Sequence, residues 1–434
     1  MSLIAQLKVS LEEIEFQTEV EQLNLVTDQT PTNIDEALDK IVDKVDYDAV
    51  NQADSNVAKL EAAQESVRNL MATLESAMAT GGMSEVAAKG YRIAMEDALN
   101  GLPVAANDYT VSSESFGENG NAMRATMEDI AAAKDLLVKI WNGIKAAVVA
   151  AFKAVVEYIK MYGKTADDLD ALTKNIRMRA AALSGKQPVG SFNYAPYADK
   201  LGIDGVRFNG EVAKSVDLLT KALSNRVMSY SQTVSNGLKG LGKTVANQSA
   251  TVDVESLEKY FSFNFNVGQL EKMAEFTKFP GGYVFTSDGA RGANTGVETM
   301  DALLNGALGY SKVDKVSLQG EENNLPNLLE VSLGLNAINA FCKILRDYTE
   351  FFSHEVDSDI KAFTASMDQL AKRDFSEDAG SQAGAKLLME NSTRLTNLTR
   401  GAANSFLPVA AGAAKAGLQL YNQVLKQYES GSSK

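Results

Sequence analysis

The residues Gly237-Leu-Lys-Gly-Leu-Gly242-Lys243-Thr244 fit the pattern G-x-x-x-x-G-K-[ST]. In a phosphate-binding loop, backbone N–H groups of such a stretch cradle phosphates, the lysine reaches the outer phosphates and the threonine holds magnesium. That chemistry needs a buried strand ahead of the first glycine. Here Leu219, Leu223, Val227, Tyr230, Val234, Leu238, Leu241 and Val245 keep a helical period straight through the motif. The nearest partner strand ending in an acid, Tyr283-Val-Phe-Thr-Ser-Asp288, is a poor one. Gly237, Gly242, Lys243 and Thr244 therefore give only a weak cofactor-binding match, and a nucleotide-dependent enzyme is a minor alternative.

The chain has one histidine, His354, and one cysteine, Cys342. A carboxylate beside a histidine can tune a general base, and Glu355, Asp357 and Asp359 follow His354 closely. No nucleophile stands at a telling spacing, so Ser353 or His354 is expected to cap a helix between two helices. Cys342 falls on an apolar helix face and reads as a small buried hydrophobe. One cysteine allows no intrachain disulfide, and no Cys/His zinc site can be built within one chain. The sequons at Asn247, Asn391 and Asn397 carry no weight without a secretory signal. These residues give no catalytic group, no metal site and no cofactor.

The motif with a coherent setting is Ser112-Ser113-Glu114, followed by Ser115-Phe116-Gly117. It is a small residue, any residue, then glutamate. Ser10-Leu-Glu12, Ala63-Gln-Glu65 and Ala94-Met-Glu96 share that loose pattern. Charge singles out Glu114. Residues 1–114 hold 21 Asp/Glu against 7 Lys/Arg, whereas residues 115–434 hold 35 of each sign. The whole net charge of −14 thus belongs to the first segment, and Glu114 is its last acid. Such a block marks a separate functional unit that repels polyanions. Residues 100–122 are crowded with Pro, Gly, Asn, Asp and Ser, as an exposed, cleavable linker would be.

The elements around this step are mostly helical. Stripes at helical spacing predict helices over 33–46, 52–78 and 83–99. The longest stripe runs from Met123 through Trp141 and Phe152 to Ile159 and predicts a helix over 121–162, packed against 165–183. Lys134, Lys139, Lys145, Lys153 and Lys160 decorate it, so a membrane surface is a lesser alternative for this helix. Another helix is expected over about 211–245. Four more are expected over 325–353, 355–373, 378–406 and 409–429, with Pro408 separating the last two. Short strands are expected at 260–267 and 281–289. The fold class is mainly α: an elongated multi-helix body with a small β or irregular insertion around 255–320. Four units follow: an acidic helical propeptide (1–114), the long helix and its partner (115–183), a mixed middle region (184–324) and a C-terminal helical bundle (325–434). No signal peptide is visible, and no uncharged apolar run is long enough to span a membrane.

Residues 115–159, SFGENGNAMRATMEDIAAAKDLLVKIWNGIKAAVVAAFKAVVEYI, resemble the mature N-terminus of internal head (inner-body) virion proteins of giant phiKZ-like tailed phages. The shared features are the Ser-Phe start, a helix with Met and Glu, and the W-x-x-I-K pattern at Trp141, Ile144 and Lys145. The resemblance implies a structural protein inside the capsid, synthesised in the host cytoplasm. It also implies that a prohead protease removes an acidic propeptide by cutting after the small-x-Glu triplet Ser112-Ser113-Glu114, leaving Ser115 first. Its partners would be that protease and other head or core proteins. Packaged DNA could touch basic patches along 134–179, and ejection with the DNA is compatible with this location. The main alternative is a scaffold or structural protein whose acidic domain stays attached.

Overall fold

The computed structural model describes residues 34–41, 48–80, 85–100, 127–186, 190–236, 239, 278–286, 308–313, 316–374 and 401–431. Helix α1 spans Ile34–Lys40, α2 Asp48–Thr80 and α3 Glu85–Leu99. Helix α4, Met127–Ala182, has 56 residues and so extends about 84 Å at 1.5 Å per residue. It contains no proline, and its apolar stripe continues without a phase break through Ile159, Tyr162, Ala166, Leu169, Thr173 and Ile176, all buried. The segment 165–183 is therefore not a separate partner helix, as the sequence suggests, but the second half of the same one. Gly163 does not end it. A Cβ there would stand 3.1 Å from Thr349 Oγ1, so the glycine serves a close approach by a neighbouring helix.

That neighbour is α7, Leu328–Asp374, reached through β1 (Ser191–Asn193), α5 (Ala198–Leu201), α6 (Val212–Ala222), β2 (Tyr283–Thr286), β3 (Gly309–Lys312) and β4 (Glu322–Asn324). Asn327 and Glu330 cap its start reciprocally. Asn327 Oδ1 accepts the Glu330 N–H at 2.9 Å and Glu330 Oε2 accepts the Asn327 N–H at 2.8 Å. The helix then runs unbroken through Ser353 and His354. Ser353 Oγ donates back to the Thr349 carbonyl at 2.7 Å, an interior helical bond rather than a cap. Antiparallel packing on α4 is fixed at two points: Arg177 donates to Asn336, and Arg346 donates to Asp167 at 2.7 Å and Asp170 at 2.8 Å. The stretch Leu328–Glu355 is long and apolar enough to cross a membrane by composition. Its Val331, Leu335, Ile338, Phe341, Leu345, Tyr348 and Phe352 are instead fully buried in the protein's own core.

Helix α8, Ala403–Gly431, completes the bundle and holds Pro408 inside it. Proline has no N–H to give to the carbonyl four residues back. The freed Asn404 carbonyl accepts the Tyr158 hydroxyl of α4 at 3.0 Å. Pro408 thus does not separate two helices; a tertiary hydrogen bond replaces the missing one. Small residues let α8 sit close. A Cβ on Gly417 would meet Val212 of α6 at 2.7 Å and Ile338 of α7 at 3.2 Å.

Among the described residues the strands form two antiparallel pairs, β1 with β4 and β2 with β3. In the second pair Phe285 faces Tyr310 in register. With Phe279 and Phe406 they form an aromatic cluster, over which Arg226 lies 5.3 Å from the rings of Phe279 and Phe285. Arg226 belongs to a π-helical turn, Leu223–Met228, that interrupts the helix begun by α6. The strand expected at 281–289 is β2; the one expected at 260–267 lies outside the described residues.

Candidate functional site: the seam of the acidic segment

Ser112, Ser113, Glu114 and Ser115 lie outside the described residues, as do Gly237, Gly242, Lys243 and Thr244. The backbone leading to Gly237 is helical up to 236, and Lys239 is helical as well. A phosphate-binding loop requires a strand at that place. Lys239 is also engaged: its Nζ pairs with Glu355 and lies 3.4 Å from Asp359 Oδ1. Asp359 is buried, and desolvation holds its carboxyl above the usual range, with Ser235 and Lys239 opposing. This cluster joins Ser235 and Lys239 to α7. His354 sits exposed beside it on the same unbroken α7. Cys342 is fully buried, and burial pushes its thiol up to about 12, which keeps it unreactive. Among the described residues no group of three His, Cys, Asp or Glu could hold a metal ion.

The described part of the acidic segment forms the larger feature. Helix α2 carries Val50, Val57, Leu60, Val67 and Leu74, all at most 3% exposed. The spacing of seven, three, seven and seven puts them on one stripe. That stripe packs on α4, and α3 folds back on α2 with Tyr91 and Met95 buried. All belong to one hydrophobic core with Trp141, Phe152 and the inner faces of α7 and α8. Burying an aliphatic side chain is worth about 1.5–3 kcal/mol. The five on α2 thus contribute on the order of 10 kcal/mol, before the entropy of ordering the helix is subtracted. Most of its described acids point elsewhere: Asp39, Asp48, Glu65, Glu75, Glu96 and Asp97 are exposed, whereas Asp35, Asp54 and Glu61 are half-buried.

Helix α1 is held by polar contacts to α8. Lys415 Nζ donates to the Ile41 carbonyl at 2.9 Å, and Lys426 pairs with Asp35. Because the lower number on α1 meets the higher on α8, the two helices run antiparallel. Asn422, 1% exposed, is the hub between them. Its amide N–H donates to Asp35 Oδ1 at 2.7 Å, while its carbonyl oxygen accepts from Arg179 of α4. Arg179 also grips Glu429 with two hydrogen bonds, and that contact holds the Glu429 carboxyl below its ordinary range. Sequence reasoning does not single out Asn422 or Asp35. The available signal was an amide lying among Leu418, Tyr421 and Leu425 on a core-facing stripe.

The arrangement can seat an acidic helical unit on a neutral body, apolar side in and most of its described acids out. A family model of phiKZ-like phage internal head proteins matches residues 33–417. The match takes in α1 to α7 and about half of α8, so it includes the acidic helices as well as the body. No curated protein and no solved structure matches the chain. Proteins of this family are structural components located within the virion head, in association with other head components. With a match over most of its length and a mainly helical fold, this chain belongs to the phiKZ-like phage internal head proteins.

Proposed function

We propose that the chain is made in the host cytoplasm as a precursor, packaged inside the capsid, and cut after Glu114 by the prohead protease during maturation. Its role is structural, with no catalysis of its own. The observation that carries this reading is the coincidence of the Ser112-Ser113-Glu114 triplet with the end of the acidic block. The fold supports the choice among triplets. Ala63-Gln64-Glu65 lies within α2 and Ala94-Met95-Glu96 within α3, with Gln64 2% and Met95 3% exposed. A protease reaches such residues only after local unfolding. Lys134, Lys139 and Lys153 of α4 face outward and would touch packaged DNA through phosphates, in a salt-dependent way.

A second reading, an uncleaved structural protein, has one observation behind it: the acidic helices share the core of the body. The N-terminal residue of the protein isolated from mature particles decides between them. Ser115 is the expected start. A start at Met1 or Ser2 would remove the precursor reading and leave the uncleaved one.

A further inference from the structure

We propose that a cut after Glu114 nicks the protein without releasing its acidic segment: helices α1 to α3 remain seated as a non-covalent subunit on a surface made by α4 and α8. The biological setting of this inference rests on the cleavage reading above, but the surface does not.

The surface has the features of a specific interface rather than of a passing contact. Its centre is mainly aliphatic, with Val57, Leu60 and Val67 of α2 all fully buried and Gln64 beside them. Its edge is polar and directional. Lys415 and Lys426 of α8 stand three turns apart and engage opposite ends of α1, at Ile41 and Asp35. Asn422 fixes the register, since its buried amide needs both the Arg179 donor and the Asp35 acceptor. A single backbone cut outside α1 to α3 removes none of these contacts. It only turns an intramolecular association into a bimolecular one.

Further trimming is also opposed. Each small-x-Glu triplet of residues 34–99 lies in a helix: 63–65 and 73–75 in α2, 94–96 in α3. The central residues Gln64, Leu74 and Met95 are all at most 3% exposed. Cutting there must await opening of the seam, so the rate follows the open population. The electrostatic consequence is concrete. Residues 34–99 hold 13 Asp/Glu and 6 Lys/Arg, so even after loss of everything outside them about half of the acidic imbalance would stay on the body.

The test uses the full chain with a recognition sequence for an unrelated, site-specific protease inserted between Glu114 and Ser115. After complete digestion the sample is diluted and run on a sizing column. Both pieces are expected to elute together at the volume of the uncut protein. Elution of the 1–114 piece on its own, whether the remainder stays folded or aggregates, would overturn the inference. A second variant, Asp35→Lys, sets a cation against Lys415 and Lys426 at the edge of the seam. It is expected to weaken retention of the cut piece about 10-fold or more. Unchanged retention would mean that this surface is not what holds the segment. Because the protease is introduced, neither result depends on where the natural enzyme cuts, which the N-terminal residue from particles reports separately.

Discussion

Replacing Tyr158 by Phe should cost far more than one exposed hydroxyl, because of a proline on another helix. Pro408 cannot donate to the Asn404 carbonyl, and the Tyr158 hydroxyl takes that place at 3.0 Å. Tyr158 is 5% exposed, so water cannot readily substitute. The Phe ring keeps the edge-on packing on Tyr162, whose centroid is 5.4 Å away. What is lost is the bond to the Asn404 carbonyl and the longer 3.3 Å bond to the Tyr162 hydroxyl, together about 1 kcal/mol net, plus the penalty of a stranded carbonyl, about another 1 kcal/mol or more. In a Pro408→Ala background the residue at 408 regains an N–H, and the carbonyl is satisfied within α8. There the same Tyr158→Phe change should cost about 0.5–1 kcal/mol, which gives a coupling of about 1 kcal/mol between positions that are not in one helix. Denaturant unfolding of the four proteins, followed by far-ultraviolet circular dichroism, measures it. Equal cost of Tyr158→Phe in both backgrounds would refute the argument that the hydroxyl stands in for the missing N–H.

Two further substitutions probe the rest of the bundle. Gly334→Ala would place a Cβ 1.7 Å from the Tyr421 hydroxyl oxygen. The overpacking cost of about 1–3 kcal/mol should outweigh the helix-propensity gain of about 1 kcal/mol; a melting temperature at or above the parent's would contradict the close approach of α7 and α8. Lys239→Met leaves Asp359 buried without its nearby cation and should cost about 1–3 kcal/mol at neutral pH. Burial already raises the Asp359 carboxyl above its ordinary value, so the folded form favours the proton, and the penalty appears as pH rises through that raised value. The deficit should shrink in acid, where Asp359 is neutral. An equal deficit in acid and at neutral pH would rule out Asp359 as its source.

Much of this architecture can be read from spacing alone. The stripe through Leu137, Ile144, Phe152 and Ile159 specifies a long helix, and the stripe through Val57, Leu60, Val67 and Leu74 specifies another. The ends of elements are less legible where tertiary contacts override a local signal. Gly163 resembles a stop but accommodates Thr349. Ser353-His354 resembles a cap, yet Ser353 bonds back within a continuous turn. Pro408 resembles a break until Tyr158 is placed beside Asn404. The charge step at Glu114 is a property of composition and needs no coordinates. The seam is the opposite case. Nothing local in Asp35 or Asn422 announces that they meet across nearly the whole chain. The pairing of β1 with β4, Phe192 opposite Asn323, is likewise set by how the helices on either side are docked.

The buried thiol has a use that its chemistry alone does not suggest. Cys342 is the chain's single cysteine, fully enclosed on α7 where that helix lies against α4, and its proton is held to about 12. An alkylating reagent can reach it only when the middle of the bundle comes apart, and it can react only once per molecule. Each labelled chain is therefore a molecule that has opened at its centre, and the labelling rate is a clock for that event. Fraying at the ends of α2 or α8 would leave the clock untouched. The same reading could be taken inside an intact particle, wherever a small reagent can diffuse, with no probe added to the protein.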